Sequence, residues 1–271
     1  MLLQQPGIRV PELAQLVGVS EGTIRNDLNA LAEVGQLTRV RGGAVLTERL
    51  LFQSASFAAR ARVNETAKQC IARWAAGLVG DGDAILLDAS TTVYQIAQYL
   101  QARRNLTVVT NGIEVGRRLA QNFTNTVILL GGTLRADGTA VTGPLSEGFL
   151  TDLYIKTAFV SCTGFTLEAG LTEADIHEAP LKRKMIMAAG SVVALVDSSK
   201  FGKVDLTPFA RAEQISYFCT DRALAPHWVE KLRKTCPTLA VCDENTVFTF
   251  TARGEEQVSY QDQEPTSRIG R

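Results

Sequence analysis

The chain has 271 residues, 45% hydrophobic and 21% charged, with 28 Lys and Arg balanced by 28 Asp and Glu, so a formal charge of zero excludes a surface built throughout for polyanions. Its length holds a small domain beside one larger core, and its five cysteines (Cys70, Cys162, Cys219, Cys236 and Cys242), lacking Cys-x-x-Cys spacing, read as buried free thiols with no metal site. Neither a charged leader nor an apolar run of about 18 residues occurs, which predicts a cytoplasmic chain that is not secreted and does not span a membrane.

Two short helices open the chain. Pro11 suits a first turn, and Leu13, Leu16 and Val17 fall on one face at helical spacing. Gly18 can take the left-handed turn that stops this helix, and Ser20 can accept the free N–H groups that start the next. In the second helix Ile24, Leu28 and Leu31 make the buried stripe, so Glu21, Thr23, Arg25, Asn26 and Asn29 face outward. Gly35 closes it before an alternating segment in which Arg39 and Arg41 share a face.

A second helix begun by a capping serine, with small and polar residues at its N-terminal end, is how proteins place side chains in the DNA major groove. Arg25 and Asn26 carry donors and acceptors for base edges, Ser20 and Thr23 suit phosphates, and Arg39 and Arg41 would lie on a wing. The plainer reading is a helical hairpin with solvated charges, because Arg9, Arg25, Arg39, Arg41 and Arg49 are matched by Glu12, Glu21, Asp27, Glu33 and Glu48. Phosphate affinity would have to come from clustered arginines and from two copies of the domain on one duplex.

The segment from Thr47 to Asn64 mixes charges with Leu50, Leu51, Phe52 and Phe57 and reads as a partly helical connector. A helix is expected from Asn64, which can cap it, with Cys70, Ile71, Trp74, Ala75 and Leu78 inward. Strand-like runs then alternate with helical stretches: Ala84–Leu87, Leu106–Val109, Val127–Leu130, Ala158–Val160, Val192–Val196, Ser216–Cys219 and a final Thr238–Val241. The expected fold class is α/β, an open, mainly parallel sheet with flanking helices behind the N-terminal helix-turn-helix. Expected divisions are a DNA-binding domain over 1–46, the connector over 47–64, the α/β domain over 65–250 and a polar, disordered tail over 251–271.

Open α/β sheets bind ligands at the carboxyl ends of their strands. The first strand of this domain ends in Asp88-Ala89-Ser90-Thr91-Thr92, the second in Thr110-Asn111-Gly112, the third in Gly131-Gly132 and the fifth in Asp197-Ser198-Ser199-Lys200. Asp88, Ser90, Thr91, Thr92, Asn111, Gly131, Gly132 and Lys200 are therefore candidate ligands for a phosphorylated molecule, Lys200 supplying positive charge. Each feature has a plainer reading, since Ser-Thr-Thr can simply cap a helix, Gly-Gly can simply turn, and a lysine can be solvated. No Gly-x-Gly-x-x-Gly follows the first strand, which weighs against a dinucleotide.

Ser20-Glu21-Gly22-Thr23-Ile24-Arg25-Asn26-Asp27-Leu28 followed by Arg39-Val40-Arg41-Gly42-Gly43-Ala44 resembles the winged helix-turn-helix of DeoR-type transcriptional regulators. That family usually has arginine at the position of Asn26 and histidine at that of Arg41, so its operator does not carry over. It also has a full helix ahead of the unit, where this chain has only Met1 to Gln5, which implies a start upstream or a trimmed domain. The later segment resembles the family's sensor domain, itself similar to ribose-5-phosphate isomerase, and the whole resemblance covers roughly residues 6 to 242. It implies a phosphate seat at Ser90-Thr91-Thr92 and a matching lysine at Lys200. The isomerase's acidic run is replaced by Ser161-Cys162-Thr163-Gly164-Phe165, and its catalytic glutamate falls near Arg183, although Glu173, Asp175 and Glu178 lie close in sequence.

The resulting expectation is a repressor of a carbohydrate operon, not an enzyme and without a cofactor, that binds double-stranded operator DNA under control of a phosphorylated sugar. A homodimer or homotetramer is expected, since helix-turn-helix operators present repeated half-sites. The alternative is a sugar-phosphate isomerase or related transferase with an accessory helix-turn-helix. Sugar identity depends on loops such as 136–142 and 163–173, and neither it nor the sign of regulation is legible in the sequence.

Overall fold

A computed structural model describes residues 8–33, 37–40, 42–46, 57–251 and 254–259. The chain forms two compact units, Met1–Arg62 and Val63–Arg271. Expectations for Arg41, Gly35, the segment before Ile8 and most of the connector lie outside the described residues.

In the first unit α1 (Val10–Val17) and α2 (Glu21–Glu33) precede the antiparallel pair β1 (Leu37–Val40) and β2 (Gly43–Leu46). Gly18 is left-handed at φ 76° and ends α1, while the Ser20 hydroxyl accepts from the Thr23 amide at 3.1 Å and starts α2. The small core gathers Ile8, Val10, Leu13, Ala14, Ile24, Leu28, Leu37 and Ala44. Leu16, Val17 and Leu31, expected inside, are exposed instead. The inward stripe of α1 is set by Val10, Leu13 and Ala14, and an eight-residue helix turned that way leaves Leu16 and Val17 outside. A further short helix, Phe57–Arg62, ends the unit.

The second unit is built on a nine-stranded sheet. Its strands are β3 (Ala84–Leu87), β4 (Thr107–Thr110), β5 (Thr126–Leu129), β8 (Ile155–Val160), β11 (Ala189–Leu195), β13 (Tyr217–Asp221), β14 (Thr238–Cys242), β15 (Thr246–Thr251) and β16 (Gly254–Ser259). They lie in the order β16-β15-β14-β13-β11-β8-β3-β4-β5, parallel from β14 to β5. Two smaller pieces stand apart: the hairpin β6 (Thr133–Leu134) and β7 (Val141–Thr142), and a sheet of β9 (Gly164–Thr166), β10 (Gly170–Glu173) and β12 (Thr207–Ala210).

Alternate residues of the central strands feed different cores. Ile85, Leu87, Val193 and Leu195 pack with helix Glu65–Ala76, whereas Leu86 joins Leu181 and Met185 of helix Glu178–Met187, and Val192, Ala194 and Val196 join Phe165 and Phe218. Burial on both faces explains why these strands read as unbroken apolar runs.

Three expectations are corrected. Thr238–Cys242 is not the final strand, because β15 and β16 continue the sheet antiparallel, and Gly254–Ser259 is a strand where the sequence predicts a disordered tail. β15 packs Val247 into one core and Phe248 and Phe250 against another, and its free edge offers the polar segment after it a full ladder of backbone partners. Asn64 does not cap helix Glu65–Ala76: its backbone is left-handed at φ 53°, and its carboxamide turns elsewhere.

Candidate functional site

In the first unit the outward face of α2 carries Thr23, Arg25 and Asn26, all exposed, and Arg39 is exposed on β1. Arg9, Arg25 and Arg39 border one hollow together with Val10, Pro11 and Gly42. Three guanidinium groups around one concavity supply the local positive charge that the neutral composition concealed. The Arg25 guanidinium rests on the Glu21 carboxylate one turn earlier at 3.0 Å, an exposed pair that a phosphate or base edge can replace. Ser20 and Thr23 hydroxyls bond each other at 2.9 Å while Ser20 caps α2, so the Ser20 oxygen is committed to the helix.

In the second unit the parallel strands bring Asp88, Asn111, Ser161 and Asp197 to one edge of the sheet. Asp88 is fully buried and is not poised for a ligand. Its Oδ1 accepts from the Ser90 amide at 2.9 Å, and its Oδ2 accepts from the Ser161 amide at 2.8 Å and faces Lys182 Nζ at 3.1 Å. Ser90 Oγ accepts from the Val93 amide at 3.1 Å, capping a one-turn helix in which Thr91 and Thr92 are buried. The capping reading of Ser-Thr-Thr is thus realised at Ser90.

Asn111 donates from Nδ2 to the Val141 carbonyl at 3.1 Å and accepts the Val141 amide on its own carbonyl at 2.9 Å, which ties the β6–β7 hairpin to the end of β4. Gly131 receives the Ser146 hydroxyl on its carbonyl. Gly132 stands at φ 147°, where a Cβ would lie 2.5 Å from the Thr142 carbonyl. Gly132 is therefore a close-packing requirement of the hairpin, whereas a Cβ at Gly131 would meet nothing within 4 Å.

Lys182 is the group that sequence reasoning missed. Its ammonium donates to the Ser161 carbonyl at 2.8 Å and to Glu173 Oε1 at 3.1 Å, beside Asp88 and 3.9 Å from Glu178. Burial works against this ammonium, but Asp88 and Glu173 outweigh it and hold its pKa above the ordinary lysine range. The signal was present in the sequence: Leu181, Lys182, Met185 and Ile186 share the inward stripe of their helix, and a lysine on such a stripe needs acids around it. Lys68 is buried the same way on helix Glu65–Ala76.

Burial pushes the Glu173 carboxyl above its usual range, opposed by Lys182 and Lys200 and reinforced by Asp88. Glu178 in turn holds Arg135, which also lies 3.2 Å from Asp137 and 4.0 Å from Asp175. Lys200 is buried, and desolvation lowers its pKa against the pull of Asp197. Three acceptor oxygens here, Asn111 Oδ1, Glu173 Oε2 and Asp197 Oδ2, are buried without a hydrogen-bond partner. All five cysteines are buried thiols outside any disulfide, and burial raises Cys70 to about 11 and Cys236 to about 12.

Residues 63–222 match the family model described as the DeoR C terminal sensor domain, and residues 1–49 match the DeoR-like helix-turn-helix domain. The chain is similar to the HTH-type transcriptional regulator GolR of Listeria innocua, with 37% identity over 83% of this chain and 88% of that protein. It is 38% identical to the L-fucose operon activator of Haemophilus influenzae, over 86% of this chain and 91% of that one. The transcriptional repressor AccR of Agrobacterium fabrum is 32% identical over 86% and 92%. Among solved structures, ribose 5-phosphate isomerase A of Methanocaldococcus jannaschii aligns with 72% of this chain and 99% of its own at 13% identity, with a TM-score of 0.39, too loose a likeness for any conclusion to rest on it.

Proposed function

The chain belongs to the DeoR family of DNA-binding transcriptional regulators, and we propose that it is a repressor of a carbohydrate operon whose grip on its operator is loosened by a phosphorylated sugar. Relatives named activator and repressor both occur, so kinship alone leaves the sign open. The observation that carries the effector reading is the set of unpartnered acceptors, Asn111 Oδ1, Glu173 Oε2 and Asp197 Oδ2, at an edge that also holds the buried Lys200. Buried polar atoms are nearly always satisfied, so a ligand that brings hydroxyl donors to those three oxygens completes what the protein leaves open there, with its anion drawn to the charge of Lys200.

The phosphate would lie beside Lys200 and the Ser90-Thr91-Thr92 turn, and the hydroxyls would meet Asn111 and Glu173. Asp88, with both oxygens engaged, would position the turn instead of touching the sugar. On the DNA side Arg25 and Asn26 would read bases, while Arg9, Thr23, Arg39 and Arg41 would hold phosphates. A dimer or tetramer acting in the cytoplasm suits an operator of repeated half-sites. Among the described residues no helix is long and apolar enough to cross a membrane. An isomerase reading has little support, because Glu173 Oε1 is taken by Lys182 and the relatives are named as regulators.

Thermal stability against a panel of sugar phosphates and their unphosphorylated parents tests the effector reading. A ligand at about 100 times its dissociation constant stabilises by roughly 2.7 kcal/mol. A shift with one phosphorylated sugar and not its parent is expected; no shift with any member of the panel defeats the reading.

A further inference from the structure

Asn64 is the second residue of the sensor unit, directly after the DNA-binding unit ends at Arg62. Its backbone is left-handed, φ 53° and ψ 37°, a region uncommon for residues with a side chain and one that asparagine enters more readily than most. It opens helix Glu65–Ala76 without capping it. The carboxamide instead donates to Asp197 Oδ1 at 3.0 Å and to Ser199 Oγ at 3.1 Å, partners more than 130 residues away in sequence.

Those partners belong to the turn that carries Lys200. Asp197 Oδ1 also accepts from the Ser199 amide at 3.2 Å and from the Ser199 hydroxyl, and the Lys200 amide donates to the Asp197 carbonyl at 3.0 Å. The Ser198 amide is fixed to Asp221 Oδ2 at 2.6 Å. One carboxylate oxygen thus gathers three donors, one of them the residue at the junction, while the other oxygen, Asp197 Oδ2, is buried and unpartnered.

We infer that Asn64 is the positioning residue that couples the Asp197–Lys200 turn to operator binding, through the backbone at the start of the sensor unit. When Asp197 or Ser199 shifts, the carboxamide loses its anchor, the left-handed conformation at Asn64 loses its support, and the dihedral pair at this residue relaxes. The inference rests on the effector reading for what moves the turn, and the link itself is independent of any ligand.

The test is a double-mutant cycle on operator affinity, using the full chain, a fixed salt concentration and a duplex selected from a random-sequence pool by the wild-type protein. Asn64→Gly keeps the left-handed backbone accessible and removes the carboxamide, while also adding backbone freedom. Asp197→Ala removes its main acceptor, and Ser199→Ala, milder, trims the second. Asn64→Gly and Asp197→Ala should each change operator affinity at least about fivefold, in the same direction, although neither residue belongs to the DNA-binding unit. In the Asn64→Gly background, Asp197→Ala should add nothing, and Ser199→Ala alone should act in the same sense by a smaller factor. Unchanged affinity in Asn64→Gly, or effects that multiply in the double variant, would overturn the inference. No sugar phosphate enters this experiment, so its failure is distinct from a failed thermal-shift panel.

Discussion

Lys182 Nζ stands 3.1 Å from Asp88 Oδ2, and both side chains are sealed from solvent. The pair joins helix Glu178–Met187 to the end of β3, and Glu173 completes it. Removing the cation leaves two buried carboxylates without their counter-ion, Asp88 keeping only its two backbone N–H donors. Lys182→Met should therefore cost about 3–5 kcal/mol in urea denaturation near neutral pH, far more than the loss of an exposed pair. A cost below about 1 kcal/mol would mean that water already shares the cluster.

The proposed contact between Lys200 and the phosphate predicts an effector affinity that depends on pH. Its pKa is depressed below the ordinary 10.5 by burial, so the ammonium is lost earlier than in a solvated lysine. An anion favours the charged form, so affinity for the phosphorylated sugar should be full below the depressed value and fall as pH rises through it, before 10.5 is reached. Lys200→Arg should hold its affinity across that range, and calorimetric titrations at stepped pH would show it. Parallel declines in both proteins would place the titrating group elsewhere.

Arg25 lies on an exposed ion pair, so its removal should barely alter folding. Arg25→Ala is expected to change stability by a few tenths of a kcal/mol and to weaken operator binding by about 1–3 kcal/mol, with sugar-phosphate affinity untouched. Electrophoretic titration beside a melting curve separates the two effects. Loss of both DNA binding and the melting transition would indicate an unfolded domain.

Gly132 has no room for a side chain. Gly132→Ala would force a Cβ against the Thr142 carbonyl at a backbone angle that disfavours it, and should cost about 1–3 kcal/mol. Because Asn111 grips the same hairpin, effector affinity should fall too. Gly131→Ala, whose Cβ would meet nothing within 4 Å, is the control and should fold normally.

Much of the fold is legible in local pattern. Gly18 and Ser20 mark the turn between α1 and α2 because left-handed geometry and an N-cap each need a particular residue type, and both are used as the sequence predicts. Six of the seven parallel strands announce themselves as apolar runs because both faces of the sheet are covered there, while the edge strand β5 is apolar and only partly covered. The pattern misled where burial depends on what lies opposite. Leu16, Val17 and Leu31 have the right spacing to be core and are exposed, and the polar stretch Gly254–Ser259 becomes a strand because β15 offers it an edge.

The sequence by itself determined the architecture and the kind of residues at each strand end, since helix caps, periodicity and glycine turns act over a few residues. Only the tertiary structure decided what those residues do. Asp88 proved to be a buried anchor, Lys182 its counter-ion and Asn64 a tie to Asp197 instead of a helix cap, because hydrogen bonds and ion pairs between residues up to 133 positions apart are chosen by packing and not by spacing.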